Sequence, residues 1–388
     1  MNKNVIGVEI SGIRKFYNEV IKFPEAISLT LGQPDFPVPE KVKEAMIRAI
    51  EEGKTTYTAN AGIVELREEI SSLLKNNFDI DFSKDEIIIT VGGSEGLYAA
   101  MTALLNPGEK VLVPSIAYPA YESISKIIGC EVINYDLNED FSVNIESLKE
   151  GIKQGGKLLV LSYPCNPTGA LLSKKSRDEL VEIIKENDIL VLTDEIYSSL
   201  CFEEEYYSVA QCKDIKEKII YVSGFSKMFS MTGLRIGYVA CPKKIYDQII
   251  KVHQYNSSCA TSISQWGALE GLKSCMNDVE NMKESFKERM NFTYKRLIDM
   301  GLEVEKPKGA FYIYPNISKF GLTSEEFCHR LLKEGKVACV PGDAFGKGGE
   351  GYIRISYCYS KDELERALDK LEAFVKTLKS KLCLKYMS

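Results

Sequence analysis

Histidine is nearly absent: only His253 and His329 occur in 388 residues. That leaves no foundation for a multi-histidine metal centre or a Ser-His-Asp triad. No C-x-x-C pair occurs either, and the 11 cysteines, an odd number, are scattered from Cys130 to Cys383. Disulfide frameworks belong to short secreted chains with even counts, so these thiols read as reduced and mostly as small core hydrophobes. No apolar run reaches the ~18 residues needed to cross a bilayer. The segment Met1–Ile10 lacks the basic stretch and apolar run of a secretory leader. Basic excess is missing too, the formal net charge being −6, which argues against a phosphate-backbone partner. The expectation is a cytoplasmic protein without metal, nucleic acid or membrane. Its chemistry must rest on Lys, Arg, Asp and Tyr.

What the chain does have is a strand–loop–helix rhythm. EIIIT (86–90), KVLVP (110–114), EVINY (131–135), KLLVLSYP (157–164), DILVLTDE (188–195) and IIYVSG (219–224) are short, nearly continuous apolar runs. Strands buried on both faces look like this, and helices between them imply an α/β fold with a mainly parallel sheet. Amphipathic helices are predicted over 9–22, 39–53 and 62–75, with a strand at AISLTLG (26–32). A long charged helix at 278–300 then leads to AFYIYP (310–315), a helix at 323–334, KVACVP (336–341), GYIRIS (351–356) and a terminal helix from 360. This reads as a smaller α+β unit. One core rarely outgrows about 250–300 residues. The expected division is a large domain over 45–285 and a small one from 1–44 with 286–388.

In open parallel α/β sheets, ligands sit beyond the carboxyl ends of the strands. Three predicted strands run out there into polar residues: Y-P-C-N-P-T-G with Asn166, T-D-E-I-Y with Asp194 and Tyr197, and S-G-F-S-K-M-F-S-M-T-G-L-R-I-G-Y with Lys227 and Arg235. Alone, a lysine is usually a solvated charge and an aspartate after a strand a helix cap. An acid, an amide, a phenol and two cations at successive strand ends describe a site. Cys165 borders it, with packing as the simpler role. T-V-G-G-S-E-G (90–96) precedes a predicted helix, so the amides near Gly93, Ser94 and Glu95 can bind an anion.

The motifs N-P-T-G (166–169), D-E-I-Y (194–197) and S-K-x-F-x-M-T-G-x-R-x-G-Y (226–238) resemble the class I/II aminotransferases of the aspartate aminotransferase fold. The resemblance extends from L-G-Q-P-D-F (31–36) through Y-T-A-N-A-G-I-x-E-L-R (57–67) to I-R-I-S-Y (353–357). Within the family, I-S-G-I-R-K-F (10–16) and K-V-H-Q-Y-N-S-S-C-A (251–260) look most like the bacillary N-acetyl-diaminopimelate and aromatic aminotransferase group.

The resemblance implies PLP fold type I and pyridoxal 5′-phosphate (PLP) held as a Schiff base on Lys227. Asp194 would face the ring nitrogen, Tyr197 and Asn166 the phenolic oxygen, and the Tyr118 ring would stack on the pyridine. Ser226 and Arg235 would flank the phosphate beside Gly93–Glu95, and Tyr57 would reach the phosphate of a second subunit, making a homodimer with composite sites. Arg354, with the Gly32 backbone, would hold the substrate α-carboxylate. An edge-strand charge is the plain alternative for Arg354, and a packed surface aromatic for Tyr57.

The implied reaction is ping-pong transfer of an amino group, from glutamate to an aromatic, acidic or acylated diaminopimelate-type 2-oxo acid. A C–S β-lyase or decarboxylase on the same scaffold stays open, as does a non-catalytic PLP-binding effector domain. A Rossmann oxidoreductase is disfavoured, since no G-x-G-x-x-G follows the early strands. Three departures stand out. Leu234 replaces the tryptophan of M-T-G-W-R, Gly224 sits where several members place a phosphate-binding serine, and Ser94 stands where some aspartate-specific relatives have a lysine. Arg14 could supply a distal cation instead, a solvated helix charge being its simpler reading.

Overall fold

The computed structural model describes residues 1–203 and 205–387, those from 381 onward by backbone alone. Among the described residues the strands are β1 (Ile27–Ser28), β2 (Ile87–Thr90), β3 (Lys110–Pro114), β4 (Glu131–Tyr135), β5 (Gly156–Ser162), β6 (Leu190–Asp194), β7 (Ile219–Gly224), β8 (Gly237–Ala240), β9 (Tyr312–Ile313), β10 (Val337–Ala338), β11 (Val340–Pro341) and β12 (Ile353–Ser356). The main sheet has the order β2-β8-β7-β6-β5-β3-β4, and only β8 runs antiparallel to its neighbours. The apolar runs form these strands because both faces are covered. On β5, Leu159 and Leu161 enter one core cluster while Leu158 and Val160 enter another, as the two-residue side-chain period requires. Truncating one of them, as in Leu159→Ala, costs about 2–5 kcal/mol.

β8 was not anticipated, its GYVA being part of a motif read for chemistry. The helices Lys243–Ser257 and Ser262–Ser274 were not anticipated either. Pro242 followed by Ile245 and Ile249, all buried, was the available signal for the first.

A second body carries the antiparallel sheet β11-β12-β9 and the parallel pair β1-β10, around a core that includes Phe311, Phe327, Leu368 and Leu371. The helix Met276–Asp299 leads into it. The strand expected over 26–32 shrinks to β1 because the next backbone groups serve side chains. The Thr30 carbonyl accepts from Arg354, the Gly32 carbonyl from Lys227, and the Leu31 N–H donates to Tyr359. The run 336–341 splits at Cys339, β10 pairing with β1 and β11 with β12. The helix expected over 323–334 is regular over Ser324–Arg330, continues as a π-turn, and stops where Lys336 turns left-handed at φ 56°. Every cysteine from Cys130 to Cys358 is free, and Cys383 lies outside the described side chains. No described helix is long and apolar enough to cross a membrane.

Candidate active site

Register brings the strand ends together. Asp194 pairs with Ser162 of β5 and Val222 of β7, while Gly224 at the end of β7 faces Gly237 at the start of β8. Because β8 is reversed, Arg235 arrives at the same edge as the outgoing ends of the parallel strands.

Asp194 is buried. Its Oδ2 accepts from the Tyr121 hydroxyl at 2.8 Å, and Oδ1 from the Ile196 N–H at 3.3 Å. Burial raises its carboxyl to about 6, against those hydrogen bonds and the Lys227 charge, which lower it. Lys227 lies in the short helix Phe225–Met228 after β7 and donates from Nζ to the Gly32 carbonyl at 2.6 Å. Desolvation brings its ammonium down to about 8. Arg235 and Arg354 push the same way, opposed by Cys358 and Asp194.

Arg354 is only 2% exposed. It sits on β12, the central strand of its sheet, which removes the edge-strand reading. Its Nη1 donates to Asn166 Oδ1 at 2.9 Å and its Nη2 to the Thr30 carbonyl at 2.8 Å. The guanidinium lies 4.4 Å from the Tyr312 ring centroid and 4.9 Å from that of Phe345. Its Nε is buried with no hydrogen-bond partner. The Tyr197 hydroxyl meets that of Tyr312 at 2.8 Å.

β2 runs into the helix Gly92–Leu104. Gly92 has φ +73°, and a Cβ there would lie 2.7 Å from Arg235 Nη2, so glycine lets the guanidinium lie against the first helical turn. Gly237 is needed because a Cβ would come within 2.7 Å of the Gly93 nitrogen. Arg235 is itself left-handed at φ 49°, a strained backbone of the kind found at functional sites. Gly93 is half-buried, Ser94 exposed, and Ser226 buried next to Lys227. The Glu95 carboxylate accepts from the Val91 N–H at 3.2 Å. Free helical N–H groups beside a guanidinium make a cup for an anion.

Tyr118 is half-buried and meets Tyr121 edge-on at 5.8 Å. Its hydroxyl is pushed up by burial and by Asp194, and pulled down by Arg235, Arg354 and Arg14. Arg14 is exposed on the helix Gly12–Val20, and its neighbour Ile13 packs on the cluster of Ile116, Tyr314 and Phe345. Tyr57 is 87% exposed, so its ring is not packed into this chain's cluster.

Sequence reasoning missed Tyr121, Thr30, Tyr312 and Glu195. Tyr121 follows Tyr118 across the turn into the helix Ala120–Ile127, whose first residues were the available signal. Glu195 is 2% exposed, its Oε1 accepting from the Thr193 and Ser208 hydroxyls while Oε2 is buried without a partner. Burial raises this carboxyl to about 8. Among the described residues no group of acidic, His and Cys side chains is suited to a metal.

The profile of the family "Aminotransferase class I and II" matches residues 24–371. The "Probable N-acetyl-LL-diaminopimelate aminotransferase" of Bacillus subtilis is 43% identical over 97% of this chain and 95% of its own. The solved aromatic aminotransferase from Pyrococcus horikoshii is 38% identical with TM-score 0.89, covering 94% of this chain and 99% of its own. The aspartate aminotransferase from Thermus thermophilus with maleate is 31% identical with TM-score 0.91, covering 96% and 99%. With that likeness spanning nearly the whole of both the sequence and the α/β architecture, the chain belongs to the class I and II aminotransferases, transferases that are generally PLP-dependent.

Proposed function

We propose that this chain is a PLP-dependent aminotransferase that takes an amino group from glutamate and passes it to an aromatic, acidic or acylated diaminopimelate-type 2-oxo acid. One observation carries the reading: Lys227 Nζ sits on the Gly32 carbonyl at 2.6 Å, its ammonium brought down to about 8 by desolvation and in the electrostatic field of Asp194, Arg235 and Arg354. An amine near neutrality can bind a carbonyl and exchange protons, which a solvated lysine at its ordinary value does poorly.

The residues fit the cofactor. The buried Asp194 carboxylate, at about 6 with only neutral hydrogen-bond donors on it, suits a cationic ring nitrogen that would hold it ionised. The cup of Gly93, Ser94, Glu95, Ser226 and Arg235 suits a phosphate, Tyr197 and Asn166 a phenolic oxygen, and Tyr118 a flat ring. PLP, when bound, draws the electrons of a substrate Cα–H bond into its pyridine ring. Lys227 would hold it at rest, and once the substrate amine has displaced it, the freed Lys227 Nζ would carry the Cα proton. Arg354, with the Gly32 backbone, fixes the α-carboxylate, and its unpartnered buried Nε supports that role. Tyr121 keeps Asp194 oriented.

The exposure of Tyr57 supports a homodimer in which it completes the neighbouring subunit's site. The free cysteines support a cytoplasmic setting. The chain divides into a large body over 45–285 and a small one from 1–44 with 286–388.

The test is a screen of amino donors against 2-oxo acids, the N-acylated diaminopimelate precursor included, on a protein reduced in parallel with borohydride. Stoichiometric new amino acid and 2-oxo acid, with label on Lys227, are expected. Pyruvate and ammonia from cystathionine would show a lyase instead, and label on another lysine would remove the site.

A further inference from the structure

Glu95 is out of place by its charge. It sits in the first turn of the helix Gly92–Leu104, whose N-terminus is read above as a phosphate cup. An uncompensated carboxylate one turn from a bound phosphate would repel it. The side chain cannot escape to water, being 9% exposed and fixed by the Val91 N–H.

Across from it lies His253, fully buried in the helix Lys243–Ser257. Nδ1 is 3.1 Å from both Glu95 oxygens, and Nε2 is 2.9 Å from the Asn60 carbonyl. A carbonyl can only accept, so Nε2 carries a hydrogen. Two acceptors facing each other at 3.1 Å would repel, so this contact calls for a proton between Nδ1 and the carboxylate, and with it there the pair has no net charge. The Ser257 hydroxyl, 3.3 Å from Nδ1, is neutral. Asn60 is also tied to the Ser258 carbonyl, and Thr58 to Gln265, so the same histidine fastens the segment that presents Tyr57.

We propose that His253 is a positioning residue, the counter-charge that lets Glu95 cap the 92–104 helix without spoiling its N-terminus as a phosphate site. The proposal rests on the phosphate-cup reading and adds to it a residue that touches neither cofactor nor substrate.

The test compares PLP with phosphate-free pyridoxal, titrated by absorbance into the full chain. His253→Gln leaves Glu95 unneutralised and is expected to weaken PLP binding roughly 10- to 100-fold while changing pyridoxal by less than about 3-fold. Glu95→Gln/His253→Gln removes the charge that needed balancing and should restore most of the PLP affinity. Glu95 serves the cup through its backbone amide, so Glu95→Gln, which leaves that amide and the His253–Asn60 hydrogen bond in place, should bind PLP at least as well as the unaltered chain while pyridoxal stays within about 3-fold. It serves if His253→Gln does not fold, and weakened PLP binding would overturn the proposal. Equal losses for both compounds, no loss in His253→Gln, or no recovery in the double variant would overturn the proposal. If the unaltered chain failed to prefer PLP over pyridoxal, the cup itself would be misread, an outcome distinct from the others that also removes the proposal.

Discussion

Arg354 of β12 and Asn166 in the loop after β5 meet at 2.9 Å, a side-chain bond between the small sheet and the large one. The same guanidinium takes the Thr30 carbonyl, so three distant segments are tied by one cation. Arg354→Ala should lower kcat/KM for every amino acid by about 3–4 kcal/mol, roughly 10²–10³-fold, by removing the planar fork and leaving Asn166 unpaired. Arg354→Lys keeps the charge without the fork and should lie between, mainly through KM. Steady-state kinetics on glutamate and phenylalanine decide it, and near-normal values for the alanine variant would refute the role.

Lys227 governs a pH dependence with a definite sign. The neutral amine is the nucleophile, and its ammonium is lowered to about 8. The rate at which cofactor-free protein captures PLP should therefore rise as pH increases through about 8 and level above it. Stopped-flow absorbance from pH 6.5 to 9.5, as roughly the span needed around that value, gives the midpoint. A rate still climbing steeply at the upper end would show an ordinary lysine. Lys227→Ala should abolish both capture and transamination.

Glu195 should act on stability with the opposite slope. Its carboxyl is raised to about 8 in the fold, whereas the unfolded chain ionises near the ordinary value, so the folded state binds the extra proton between them. Stability from this group is fully present below about 4.5 and is lost as pH rises toward 8. Glu195→Gln should stabilise the protein by on the order of 3 kcal/mol at pH 7, with the gain fading near pH 4.5. Melting curves at several pH values measure it, and a gain independent of pH would contradict the assignment.

Arg14 tests substrate choice. It is exposed and lies near enough to influence the Tyr118 hydroxyl. If it meets a distal carboxylate, Arg14→Ala should reduce glutamate turnover about 5-fold and leave phenylalanine almost unchanged, since a partly solvated ion pair contributes about 1 kcal/mol. Equal losses on both would dismiss it.

Much of this was legible because buried parallel strands write themselves as unbroken apolar runs. β3, β4 and β7 occupy the residues read as strands, Lys110–Pro114, Glu131–Tyr135 and Ile219–Gly224. The strand-end rule then pointed to Asn166, Asp194 and Lys227, which the fold sets at or just beyond the ends of β5, β6 and β7. What escaped depended on partners distant in sequence. Tyr121 gains meaning only when its hydroxyl meets Asp194, and His253 only when it meets Glu95. The 26–32 segment has strand composition, yet Arg354 and Lys227, more than 190 positions away, claim its carbonyls. β8 runs against its neighbours, a direction no local pattern encodes.

The pairing of β1 with β10 has a mechanical consequence. Ile27 and Leu29 donate to the Lys336 and Ala338 carbonyls, and Gly12 lies close against Ala344. Residues 12–29 are thus laced to the same body that carries Arg354. Any displacement of that body carries Arg354 and Arg14 as passengers in a single carriage, so under the proposed roles, one arginine for each end of a substrate, length discrimination and grip would be set in one stroke.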